Sequence, residues 1–131
     1  MTLDLDTRLR RTLSVDALTC TAAGLLMAVG SGPLAPVTGL PVPLLLGAGL
    51  ALFPVAGLLA WLSRRAKAPA AMLWLVMLGN AGWVIASLAV IIELKPTLAG
   101  EVFVLAQALV VAVLTALEFG GLRRAAALSP A

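Results

Sequence analysis

Four long apolar runs, broken by short polar or proline-bearing segments, dominate the pattern of this chain. A helix needs about 20 residues to cross roughly 30 Å of hydrocarbon. The runs at 13–32, 43–62, 70–92 and 97–119 each reach that length. Pro43, Pro69 and Pro96 stand near the expected helix starts, where the missing N–H costs nothing. Gly120-Gly121 reads as the stop of the fourth helix. The segment "GSGPLAPVTGLPVP" reads as the loop between the first two spans. Before the first span, residues 3–12 read as a short amphipathic helix. Leu5, Leu9 and Leu13 share a face there, and Asp4–Arg8 and Asp6–Arg10 have helical ion-pair spacing.

The pattern predicts an all-α polytopic membrane protein of one domain, residues 1–131, with four transmembrane helices in an up-down bundle. Composition agrees: 62% of residues are hydrophobic and 11% charged, against about 25% charged in soluble domains. Charge then sets an orientation. Arg8, Arg10, Arg11, Arg64, Arg65, Lys67, Arg123 and Arg124 fall on one side of the spans, and Lys95 alone falls on the other. The positive-inside rule makes that side cytoplasmic, with both termini inside. The same bias argues against insertion in two orientations. It also reads the basic pI as a topology signal, and no nucleic-acid partner is expected. The N-terminus does not read as a cleavable signal, because Asp4 and Asp6 dilute its basic start.

Residue types narrow the chemistry. The chain has no histidine, no tyrosine and one cysteine, Cys20. Imidazole bases and haem ligation by histidine are excluded, as is an internal disulfide. No phosphate loop, Ser/His/Asp set or HExxH motif appears. The expectation is a non-enzymatic protein with no cofactor and no metal.

Four polar features stand out against the apolar background. Asn80 and Gln107 each lie about ten residues into their helices from opposite ends, so they are expected to share a depth and to bond one another. Trp83, one turn from Asn80, brings an indole N–H to the same layer. This layer serves either as interhelical glue or as the lining of a ligand cavity or polar pathway. Asp16 and Glu118 are expected at equal depth near the cytoplasmic boundary, among arginines. They form either an ion-pair network or a proton-linked or cation-binding carboxylate pair. A Glu101–Lys95 pair is expected at the outer end. Pro54 should bend the second helix. Small residues at Gly79, Gly82, Ala86 and Ala89 suit close helix packing.

The segments "LFPVAGLLAWLSRR", "NAGWVIAS" and "FVLAQALVVAVLTALE" resemble those of small bacterial four-helix inner-membrane proteins with no assigned activity. The resemblance implies a bacterial inner membrane and no particular chemistry. The expected function is binding, of an apolar or lipid-like ligand or of a membrane partner, which includes a second copy of the chain. The alternative is a small transporter or channel using the Asn80/Gln107 layer and the Asp16/Glu118 pair.

Overall fold

The computed structural model describes residues 1–128. In chain order they form β1 (Thr2–Asp4), α1 (Thr7–Val29), α2 (Ser31–Thr38), α3 (Val42–Ser63), β2 (Lys67–Pro69), α4 (Ala70–Leu94) and α5 (Leu98–Leu128). Helices α1, α3, α4 and α5 are each long and apolar enough to cross a membrane. They alternate in direction. Most of their apolar surface faces outward: no more than 33% of any apolar window is buried inside the bundle. Leu18, Leu78, Ile85 and Leu109 all stand exposed. A surface that apolar is what a helical membrane protein presents to lipid.

Packing around the bundle is uneven. Helix α1 packs chiefly on α3, α4 on α5, and α1 also on α5, while α3 and α4 make little contact although they follow one another in sequence. The backbones of α3 and α4 therefore stay apart, and side chains of both helices line the space between them. Glycines permit the closest crossing: a Cβ on Gly49 would lie 2.7 Å from the Ala28 nitrogen and one on Gly24 3.0 Å from the Gly49 carbonyl oxygen.

Residues 7–12 of the expected helix over 3–12 are helical and continue into α1, while the residues before them depart from it. Residues Thr2–Asp4 are extended and pair antiparallel with Lys67–Pro69, with Leu3 opposite Ala68. Two further backbone bonds, Leu5 N–H to Ala66 O at 2.8 Å and Ala70 N–H to Met1 O at 2.8 Å, continue the ladder. Helix α1 starts only at Thr7, capped by Asp6, whose carboxylate accepts from the Leu9 N–H at 2.7 Å. The leucine spacing serves a different purpose from the one read in the sequence. Leu3, Leu5, Leu9 and Leu13 all turn into the core, so the segment closes the bundle end and does not lie along its surface. The expected helical ion pairs give way to long-range ones, Asp4 with Lys67 and Asp6 with Arg124.

Two other boundaries differ. The expected loop after the first span contains α2, which ends at Gly39 in the left-handed conformation, φ 72°. Its end is tied to α5: the Thr97 N–H donates to Thr38 O at 3.1 Å, and the Thr97 hydroxyl to Val37 O at 2.6 Å. Gly120-Gly121 does not stop α5, which runs on to Leu128. Gly121 instead lets Leu9 approach, and an added Cβ there would sit 2.7 Å from the Leu9 Cδ1. Leu122 and Ala125 in the extra turns are buried.

A buried carboxylate cluster beside an apolar cavity

Three helices each send one polar side chain to a common point. Asp16 lies about 14 Å along α1 from its first residue and Asn80 about 15 Å along α4 from its own, by helical rise. Glu118 lies about 15 Å before the last described residue of α5. Because α1 and α4 leave the β1/β2 end and α5 returns to it, the three meet at one level. All are buried, at 0% exposure for Asp16, 2% for Glu118 and 6% for Asn80.

The Asn80 side-chain amide bridges the carboxyls. Its Nδ2 donates to Asp16 Oδ2 at 2.9 Å and to Glu118 Oε2 at 3.2 Å. The Cys20 thiol, one turn along α1, donates to Asp16 Oδ1 at 3.6 Å. Asp16 thus has a donor on each oxygen. Glu118 Oε1 is buried with no hydrogen-bond partner. In a low-dielectric interior such an atom is costly, and two ionised carboxylates on one neutral amide are costlier still.

Of the arginines expected to neutralise this pair, Arg10, Arg65 and Arg123 have other partners, and neither Arg11 nor Arg64 is in an ion pair among those of the described residues. Arg10 Nε donates to Ser63 O at 3.0 Å and Arg124 pairs with Asp6 at 3.3 Å. The Arg65 guanidinium lies 4.5 Å from the Trp61 ring centre and that of Arg123 5.8 Å from Phe119. Asp16 and Glu118 therefore belong to a buried polar cluster, and an interfacial ion-pair network is not what forms. The reason is length: α1 begins at Thr7 and α5 runs on to Leu128, so both carboxyls have about 14–15 Å of helix between them and the β1/β2 end.

Asn80 and Gln107 do not meet. Gln107 lies eleven residues before Glu118 on α5, about 16 Å along the axis. Its amide contacts the Met27 sulfur at 3.5 Å, a weak acceptor. Trp83 lies between the two levels, lining one cavity with Asn80 and another with Gln107. The expected outer pair of Glu101 with Lys95 is also not among the ion pairs of the described residues, which are Asp4–Lys67 and Asp6–Arg124. Lys95 instead ends α4 with φ 45°.

Between α3 and α4 lies a cavity of about 380 Å³. Leu52, Pro54, Val55 and Leu58 of α3 face Leu75, Val76 and Gly79 of α4 across it. Its polar wall comes from Cys20 and Asn80, the two residues that bond Asp16. A molecule in the cavity would touch the carboxylates' donors without touching the carboxylates. Among the described residues no group of three or more His, Cys, Asp or Glu could hold a metal. The Cys20 bond to Asp16 follows from i,i+4 spacing on one helix face. No protein-family model, curated protein or solved structure matches this chain. The four apolar helices of spanning length suggest a helical multi-pass membrane protein.

Proposed function

We propose that this chain is a multi-pass protein of the bacterial inner membrane, both termini cytoplasmic, that binds an apolar, lipid-like molecule in the α3/α4 cavity. One observation carries the reading: the cavity is lined by apolar side chains apart from Asn80, Cys20 and the indole of Trp83, and the first two are held by a buried carboxylate. Pockets that recognise small molecules have this make-up, an apolar lining with a few fixed polar groups. Access from the lipid side is through the space between α3 and α4, whose backbones stay apart and whose side chains line the cavity. Orientation rests on the basic residues. The β1/β2 pairing and the Asp6–Arg124 contact gather the ends of all four helices that carry Arg8, Arg64, Lys67 and Arg124.

A second reading, transport, is favoured by the same cluster, since a buried carboxylate pair is a recurring element of ion-coupled carriers. Photolabelling separates site from bulk lipid. A photoactivatable alkyl diazirine alcohol, added to the protein in detergent, should label Leu52, Val55 and Val76 saturably. Gly79→Phe, which fills open space at the cavity wall, should abolish that labelling without unfolding the protein. Labelling spread evenly over the exposed faces, with no saturation, would overturn the reading. Flux of protons or cations in liposomes would select transport.

A further inference from the structure

We propose that Asp16 and Glu118 hold one proton between them, making a proton-binding site that joins α1 to α5 through Asn80 of α4. Every polar atom in the cluster argues for that count. Asn80 gives one N–H to each carboxyl, and Cys20 gives its S–H to the second Asp16 oxygen. Glu118 Oε1 is the one buried side-chain oxygen among the described residues left without a partner, and the single nitrogen Asn80 Nδ2 bonds both carboxyls, which brings the Glu118 carboxyl beside that of Asp16. A proton on Oε1 makes it a donor toward Asp16 and leaves a single negative charge shared by the pair. That charge is met by the two amide hydrogens and the thiol. With no proton, two charges on neighbouring helices would repel across one amide in a low-dielectric interior.

The groups facing the pair are few. Helix α1 presents Asp16 and Cys20, α4 presents Asn80 and α5 presents Glu118. Helix α3 contributes apolar side chains to the adjoining cavity. The arginines with assigned partners, Arg10, Arg65, Arg123 and Arg124, are all engaged away from the pair. Losing the proton would push α1 and α5 apart at this level and pull on Asn80 and Cys20, which form the polar wall of the cavity. Ligand binding is therefore coupled to the proton, a consequence that rests on the function proposed above; the proton site itself does not.

Infrared spectroscopy of the purified protein at pH 7 tests the site. A protonated-carboxyl stretch should be present, shift in D2O, shift again when Cys20→Ala removes the thiol donor, and vanish in Glu118→Gln. The glutamine keeps the shape and hydrogen-bonding capacity of the protonated acid, so folding should survive. If it does not, wild-type protein carrying carboxyl-¹³C glutamate or aspartate gives the same answer, since the band must move with one label or both. No such band at pH 7, or one that moves with neither label and survives Glu118→Gln, overturns the site. The diazirine probe tests the coupling: labelling at Val76 should change at least threefold between pH 5, where the infrared band is present, and the alkaline pH at which that band is lost, and should stay flat in Glu118→Gln. Equal labelling on both sides of the loss of the infrared band removes the coupling and keeps the site. Failure of the probe to label the cavity at any pH overturns the ligand reading alone.

Discussion

Asp6 and Arg124 join the two ends of the described chain: Arg124 Nε lies 3.3 Å from Asp6 Oδ2, while Asp6 Oδ1 caps α1 through the Leu9 N–H. One carboxylate thus starts the first helix and anchors the last. The Leu9 N–H bond is the main reason its pKa is lowered from 3.8; partial burial opposes this, and Arg124 and Arg8 add to it. A lowered folded-state value means the ionised form stabilises the fold. That stabilisation is complete above the unfolded value, about 3.9, and is lost as pH falls through the lower folded value. Asp6→Ala should cost about 1 kcal/mol at neutral pH, the worth of an N-cap. The gap to wild type should close in strong acid. Thermal unfolding in detergent at pH 7 and near pH 2 checks this, and a gap that persists at the lower pH would count against the cap.

Gly100 has the tightest glycine contact. A Cβ there would collide with the Thr38 carbonyl oxygen, a backbone atom held in place by the Thr97 N–H. Gly100→Ala should destabilise by about 1–3 kcal/mol, the usual cost of overpacking. Gly82→Ala is the control. Nothing lies within 4 Å of its added Cβ, so alanine should be neutral or stabilise by up to about 1 kcal/mol through helix propensity. Equal effects of the two substitutions would show that α2 is not seated against α5.

The four long apolar helices were legible because each is written as an unbroken apolar run of about the length a membrane span needs. What the sequence hid were contacts between ends far apart in the chain. Asp4 and Asp6 sit four residues before arginines, and that local spacing is indistinguishable from a helical pairing until Lys67 and Arg124 arrive in space. Helix α2 was concealed by Gly32, Pro33 and Pro36, residues that normally mark a loop. The cluster was half legible. Equal depth for Asp16 and Glu118 follows from counting residues. Matching Asn80 with Gln107 required α5 to stop near Phe119, and its continuation to Leu128 puts Glu118 at the Asn80 level. No residue pattern reveals that the backbones of α3 and α4 stay apart, because that spacing depends on side-chain volumes along both helices.

Orientation can be read by cysteine accessibility once Cys20 is replaced by alanine. Ala66 lies in the exposed turn before β2, at the end that carries the paired strands and most of the arginines, and Leu98 is 77% exposed at the opposite end. In sealed inner-membrane vesicles of known sidedness, Ala66→Cys should react with an impermeant maleimide from the cytoplasmic face only. Leu98→Cys should react from the periplasmic face only. Reaction of either from both faces would reinstate dual orientation, against the eight-to-one distribution of basic residues.

The two intramembrane amides should behave as strangers. Asn80 alone bridges Asp16 and Glu118, so Asn80→Leu strips a donor from each of two buried carboxyls. Losing hydrogen bonds to charged or partly charged buried groups costs on the order of 2–3 kcal/mol. Gln107 contacts only a methionine sulfur at 3.5 Å. Gln107→Leu should therefore cost less than about 1 kcal/mol, near the average for a polar contact between membrane helices. The pairs share no bonding partner, so the double substitution should equal the sum of the singles within about 0.5 kcal/mol. Unfolding of the four proteins in one detergent gives the cycle. A coupling well above that margin would mean that the amides meet, that Glu118 is not the residue level with Asn80, and that the carboxylate cluster is wrongly assembled.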